Sequence, residues 1–115
     1  MANEEFAFRL REETERTIVV IRGEIDLSNA DDLSKALTEA ATRNVPVVVE
    51  ASELAFIDSA GFAAIQRLME RATVLLVVPP TCPTARGFGV SGLGQIVPFF
   101  ESLDEARAAT GDEGS

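Results

Sequence analysis

An acid beside a hydroxyl, followed by two residues with almost no side chain, is the most chemically pointed spacing in the chain. It lies in Phe56-Ile57-Asp58-Ser59-Ala60-Gly61-Phe62. Two apolar residues lead in and a helical apolar period follows, so the segment reads as a tight turn onto a helix N-terminus. The first amides of a helix have no partner within it, and an aspartate at this place accepts from them. Ala60 and Gly61 leave the helix start open to close approach. A hydroxyl at Ser59 sits where the same donors would partly stabilise a phosphate. Two readings fit these residues: Asp58 and Ser59 merely cap the helix, or Ser59 lies where a phosphate would be held by the helix amides.

Little else in the sequence is equipped for catalysis. Histidine is absent, which removes the usual general base near neutral pH and the commonest metal ligand. Ser59 therefore has no imidazole to activate it. The single lysine, Lys35, falls on a predicted surface helix, away from a Ser–Lys dyad. Cys82 is the one cysteine, so there is neither an intramolecular disulfide nor a C-x-x-C metal pair, in keeping with a reducing compartment. Gly87-Phe88-Gly89-Val90-Ser91-Gly92 matches G-x-G-x-x-G by spacing, but Pro79 to Pro83 separate it from the preceding strand, and packing and turn geometry explain it better than a nucleotide. Asp58 follows the third strand, like the phospho-accepting aspartate of receiver domains. Those domains also need an acidic pair after the first strand and a lysine after the last; here the first strand ends in Arg11-Glu12-Glu13, and no lysine follows Lys35. No catalytic residue, cofactor or metal site is expected; the chain reads as a binding protein.

The elements that must position Ser59 follow from apolar periodicity. Phe6, Phe8 and Leu10 alternate with polar or small residues, a half-buried strand. Glu12 to Arg16 is a polar turn, and Thr17–Ile25 a second strand, joined to the first as a hairpin. Ser28 or Asn29 caps a helix with Asp31 and Asp32 in its first turn; Leu33, Ala36, Leu37, Ala40 and Ala41 repeat at helical spacing, and Asn44 and Pro46 end it. Val47 to Val49 suit a strand covered on both faces, with Ala51-Ser52-Glu53 as a turn beyond it. Phe62, Ile65, Leu68 and Met69 form the apolar face of the second helix, opposite Gln66, Arg67 and Glu70. Thr73–Val78 is a buried strand closed by Pro79-Pro80. Residues 81–94 give a short helix weakened by glycines, with Phe88 and Leu93 inward. Ile96–Phe100 is the last strand, and Ser102 caps a final helix that buries Leu103, Ala106 and Ala109 and stops at Gly111. The order β-β-α-β-α-β-α-β-α calls for a mixed, mostly parallel central sheet of five strands with four helices. A single α/β domain over 1–111 and a frayed tail at 112–115 are expected.

Composition narrows the partners. With 46% hydrophobic and 25% charged residues, the chain is globular and long enough to bury a core without staples. Nineteen acids against ten bases give a net charge of −9. Without a basic stripe, direct nucleic-acid binding is not expected, and the charge also disfavours anionic membranes. An acidic surface suits a basic protein partner and also serves solubility. The longest apolar stretch, Val74 to Val78, is too short to span a bilayer, and the N-terminus lacks the basic start and apolar run of a secretory signal. A cytoplasmic protein is expected.

Several stretches together resemble one family. Phe56–Gly61 looks like the D-S-[SA]-G signature of STAS domains of the anti-sigma-factor antagonist type. Gly23-Glu24-Ile25-Asp26-Leu27 resembles the family's G-E-φ-D stretch after the second strand, and Val47–Glu50 with Leu54–Asp58 its central strand and lead-in. Val90-Ser91-Gly92-Leu93 resembles M-S-G-L at the end of its third helix, and Phe99–Ala106 its closing strand and helix start. The likeness runs in order over roughly residues 6–110. It implies that Ser59 is phosphorylated by an anti-sigma factor that is itself a serine kinase, that the unphosphorylated form binds that factor and frees a sigma factor, and that a phosphoserine phosphatase resets the switch. Partner contact would then fall on Asp58, Ser59, Ala60, Gly61 and the nearby Asp26, which read on its own is equally a solvated loop acid. The chain departs from many members at Ala60, where they carry a second serine, and in a short loop before Thr73 that lacks their glycine pair. The same resemblance admits an adaptor role in another signalling complex or in a lipid-transport assembly. A small-ligand or nucleotide binder is a third class, for which the sequence offers no convergent polar pocket.

Overall fold

The apolar runs assemble one sheet whose parallel strands all release the chain at the same end. The computed structural model describes residues 7–111. β1 (Ala7–Glu13) turns into β2 (Arg16–Ile25), followed by α1 (Ala30–Ala40), a 3-10 turn at Ala41–Arg43, β3 (Val47–Ile57), α2 (Ser59–Leu68), β4 (Val74–Val77), α3 (Ala85–Val90), a 3-10 turn at Leu93–Gln95, β5 (Phe99–Phe100) and α4 (Leu103–Ala109). The strands lie in chain order, β1-β2-β3-β4-β5. The β1–β2 pair is antiparallel and the other pairs are parallel. The expected α/β architecture and element order are therefore present.

The two sheet faces are covered unequally. Leu33 and Leu37 of α1, Ile65 and Leu68 of α2 and Phe88 of α3 share one core with Val19, Ile21, Val47, Val49 and Leu76. On the other face Ile18, Val48, Leu75 and Val77 pack against Ala106 of α4. Residues Val47 to Val49 thus alternate between two apolar layers, which is why their run carries no polar member. Phe88 is fully buried and meets Phe62 and Phe99 edge-on, with ring centroids 5.2 and 6.0 Å away, a favoured aromatic geometry.

Several expectations are corrected. The polar turn of the hairpin is only Thr14-Glu15, because β1 runs to Glu13 and β2 starts at Arg16. Leu10 packs on the core while Phe8, on the edge strand, is 43% exposed. Ala51-Ser52-Glu53 is not a turn: β3 runs unbroken through it. Its register against β2 slips twice, from Val20↔Glu50 to Arg22↔Glu53 and from Gly23↔Leu54 to Glu24↔Phe56. The extra residues are bulges in β3, and Glu50 accepts from the Ser52 amide and hydroxyl at 2.8 and 3.0 Å in the first of them. Gly23 meets the second slip at φ 87°, a conformation open to glycine and strained for other residues. The last strand is only Phe99–Phe100; Val97 donates back to Leu93, and Pro98 has no N–H for the ladder. α2 begins at Ser59, and Ala109 of α4 is exposed. Ser102 caps α4, accepting from the Glu105 amide at 3.2 Å, as the sequence implies. Phe6 and the expected tail at 112–115 lie outside the described residues.

No local pattern signals the clamp at the other end of β2. Arg16 is 3% exposed and bonds the Glu13 carboxylate and Thr110 Oγ1, the latter at 2.6 Å. Arg107 of α4 also grips Glu13, at 2.7 and 3.1 Å, and Arg43 bonds the Glu13 carbonyl at 2.9 Å. Held by Arg107 and Arg16, Glu13 has its carboxyl lowered from 4.5 to about 2. A lowered carboxylate contributes stability above its unfolded value that is lost as pH falls toward the folded one. Glu13→Gln is therefore expected to destabilise the fold at pH 7, by on the order of 2 kcal/mol, with the gap to wild type closing between about pH 4.5 and 2. Urea midpoints measured against pH check this; a gap constant across that range rules the clamp out as the cause.

Candidate functional site

β2 and β3 stay paired to their last residues, Ile25 and Ile57, and both loops leave the sheet from there. The Asp58 amide donates to the Ile25 carbonyl at 3.1 Å, stitching the two exits together. Asp58 then turns the chain at φ −106°, ψ −172° and caps α2, its Oδ1 accepting from Ala60 N at 2.9 Å and Gly61 N at 3.3 Å. The expected carboxylate cap is thus in place. Ser59, the first helical residue, is exposed. Among the described residues its hydroxyl has no hydrogen-bond partner.

Gly61 is what lets α2 start so close to the sheet. It is buried, and a Cβ there would lie 2.6 Å from Ile57 Cγ1 and 2.8 Å from Ile25 Cγ2. Both are branch atoms near the backbone, on side chains with stiff χ1, so they give way poorly. Ala60 is half-buried. The sequence assigns Gly61 an openness to close approach; the approaching groups are the chain's own Ile25 and Ile57.

Asp26 follows directly on Ile25 and so lies on the exit beside the Ser59 turn. Its carboxylate accepts from Ser28 N at 2.9 Å and Ser28 Oγ at 2.6 Å, and these bonds hold its pKa below the usual carboxylate value of 3.8. The Asp26 carbonyl accepts from Asn29 N at 3.1 Å and Ala30 N at 2.9 Å. Neither Ser28 nor Asn29 caps α1 through its side chain, contrary to the sequence expectation. Asn29 instead accepts from the Asp26 amide at 3.0 Å and donates to the Glu24 carbonyl at 2.9 Å. Both side chains fix the loop rather than the helix. Asn29 is a positioning residue that sequence reasoning missed, although Asp-x-Ser-Asn is a spacing of self-bonding turn residues. Lys35 is exposed on α1. Among the described residues no three or more Cys, Asp or Glu side chains gather as metal ligands, and no helix is long and apolar enough to cross a membrane.

The model of the STAS domain matches residues 7–106. The chain belongs to the STAS family. Its structure resembles that of an anti-sigma factor antagonist from Mycobacterium paratuberculosis, at 22% identity over 96% of this chain and 98% of that one, with a TM-score of 0.87. It also resembles the anti-sigma factor antagonist SpoIIAA in its unphosphorylated form, at 22% identity over 90% and 95% of the two chains and a TM-score of 0.72. Bacillus SpoIIAA in the phosphorylated form aligns at 23% identity over 87% and 96%, with a TM-score of 0.61. No curated protein matches the sequence significantly. The STAS fold thus accounts for the chain from β1 into α4.

The geometry sets the order of sensitivity in this STAS site. Asp58→Ala removes the cap and should cost about 1 kcal/mol, whereas Asp58→Asn, also a good cap, should cost much less. Gly61→Ala should cost about 1–3 kcal/mol by overpacking against Ile25 and Ile57. Ser59→Ala should leave stability within about 0.5 kcal/mol. Urea unfolding of the four variants tests the ranking, and a neutral Gly61→Ala would contradict the close approach.

Proposed function

We propose that the chain is an anti-sigma-factor antagonist that works by partner switching. In its unphosphorylated form it binds an anti-sigma factor with serine kinase activity, and phosphorylation of Ser59 releases it. The observation that carries this reading is the exposed, unpartnered Ser59 hydroxyl at the start of α2, beside an Asp58 already engaged with the Ala60 and Gly61 amides. Membership of the STAS family and the likeness to structures described as anti-sigma factor antagonists support it, as does the likeness to Bacillus SpoIIAA in its phosphorylated form. Asp26, Asp58, Ser59, Ala60 and Gly61 make up the proposed contact region.

The reaction is the partner's. Ser59 Oγ attacks the γ-phosphorus of ATP, the bond from that phosphorus to the β-phosphate oxygen breaks, ADP leaves, and the hydroxyl proton passes to a base on the kinase. This chain supplies only the acceptor, so it has no catalytic residue, cofactor or metal of its own. The new phosphate adds about −1.5 to −2 charge at pH 7. Asp58 holds the two amides that would otherwise receive it, and its carboxylate adds like charge alongside. A kinase must also bring its nucleotide phosphates to Ser59, so phosphoserine meets anions on both sides and the complex loosens. A phosphoserine phosphatase would return the protein to its binding form, within the cytoplasm where the sigma factor acts.

Pull-downs from the source cell with wild-type, Ser59→Ala and Ser59→Asp baits test this. Wild type and Ser59→Ala should retain an ATP-binding anti-sigma factor, Ser59→Asp should lose it, and that factor with ATP should phosphorylate wild type but not Ser59→Ala. Recovery of transporter or scaffold subunits, indifferent to residue 59, would instead favour the adaptor role.

A further inference from the structure

Leu27 is 82% exposed. It occupies the first corner of the turn closed by Asn29 N on the Asp26 carbonyl, between the two side chains that lock that turn. Asp26 grips Ser28 through its carboxylate, and Asn29 ties the Asp26 amide to the Glu24 carbonyl. The backbone that carries Leu27 is therefore fixed from both sides, while the leucine joins neither core cluster. The exit from β2 that bears it runs beside the exit from β3 that bears Ser59, joined by the Asp58 amide on the Ile25 carbonyl. An apolar side chain on a pre-ordered backbone binds at a low ordering cost.

The surroundings indicate what it meets. Asp26 precedes Leu27, Asp31 and Asp32 open the helix that follows it, and Asp58 stands on the neighbouring exit. Among the described residues none of these four carboxylates is in a salt bridge. An apolar knob among unpaired carboxylates is complementary to an apolar pocket rimmed by arginine or lysine, and ill suited to an anionic lipid surface or nucleic acid. We infer that Leu27 is the apolar anchor of the partner interface, seating in a pocket of that kind on the anti-sigma factor. The inference rests on the partner-switching function proposed above and adds to it the residue that sets affinity. Ser59 then decides whether the complex forms, and Leu27 decides how tightly.

The test is calorimetric titration of the full chain into the purified anti-sigma factor retained by the Ser59→Ala bait. Wild type is compared with Leu27→Ala, Leu27→Met and Ser59→Asp, each first checked for an unchanged melting temperature. Leu27→Ala should weaken Kd about 30-fold or more, as an interface anchor does, and Leu27→Met, which keeps the apolar volume, should stay within about threefold. Raising the salt should weaken all binding forms while the ratio of wild type to Leu27→Ala persists, because burial of leucine is not screened. If wild type binds, Ser59→Asp does not, and Leu27→Ala binds within threefold of wild type, the anchor is overturned and the switch stands. If affinity ignores salt, the basic rim is overturned. If wild type does not bind the factor at all, the switch fails and the anchor with it.

Discussion

Everything at the candidate site depends on how closely α2 approaches the ends of β2 and β3. The Asp58 amide reaches the Ile25 carbonyl at 3.1 Å, so the parallel ladder extends one residue past the strands and the helix must start without a connecting loop. Only a residue without a Cβ tolerates that start, since an added atom would fall within 3 Å of both Ile25 and Ile57. The glycine fixes the helix position, the aspartate fixes its first amides, and the serine between them is left facing water. Buried isoleucines and an exposed hydroxyl are thus two sides of one constraint.

The two ends of β2 divide the work. At its start, Arg16 and Arg107 share the Glu13 carboxylate and Arg43 bonds the Arg16 and Glu13 carbonyls, which ties the hairpin to α4. At its finish, Asp26 and Asp58 meet no basic side chain among the described residues and bond to amides and a hydroxyl instead. Three of the chain's ten bases sit at the starting end, and the other end carries acids without a salt-bridge partner among the described residues. The acidity of this end is therefore a matter of charge placement and not merely of the net −9.

Element type and order were legible because periodicity records burial. Val47 to Val49 are apolar without interruption because alternate members face different layers, and Phe88 and Leu93 stood out as the inward residues of a glycine-weakened segment. Ala51-Ser52-Glu53 misled because small and polar residues serve a bulge as well as they serve a turn, and only the β2 register separates the two. Ser28 and Asn29 misled in a related way: both are good caps, but the same oxygens can bond a loop, and here they do. The Arg16–Glu13–Arg107 clamp joins residues more than ninety positions apart, and no local pattern encodes such a pair. Of the site itself, the Asp58 cap and the Ser59 exposure followed from the local spacing, while the stitch between the two exits required the strand pairing.

The preoccupied amides bear on how sharply a phosphate at Ser59 would act. A free helix N-terminus is an anion site, and a phosphate received there would be partly neutralised and drawn back against the protein. Asp58 prevents this by occupying the Ala60 and Gly61 amides with a charge of its own. A phosphate on Ser59 would then compete with Asp58 for those two amides and keep more of its charge. On the proposed switch the aspartate would thus do more than cap: it would withhold the Ala60 and Gly61 amides from the phosphate.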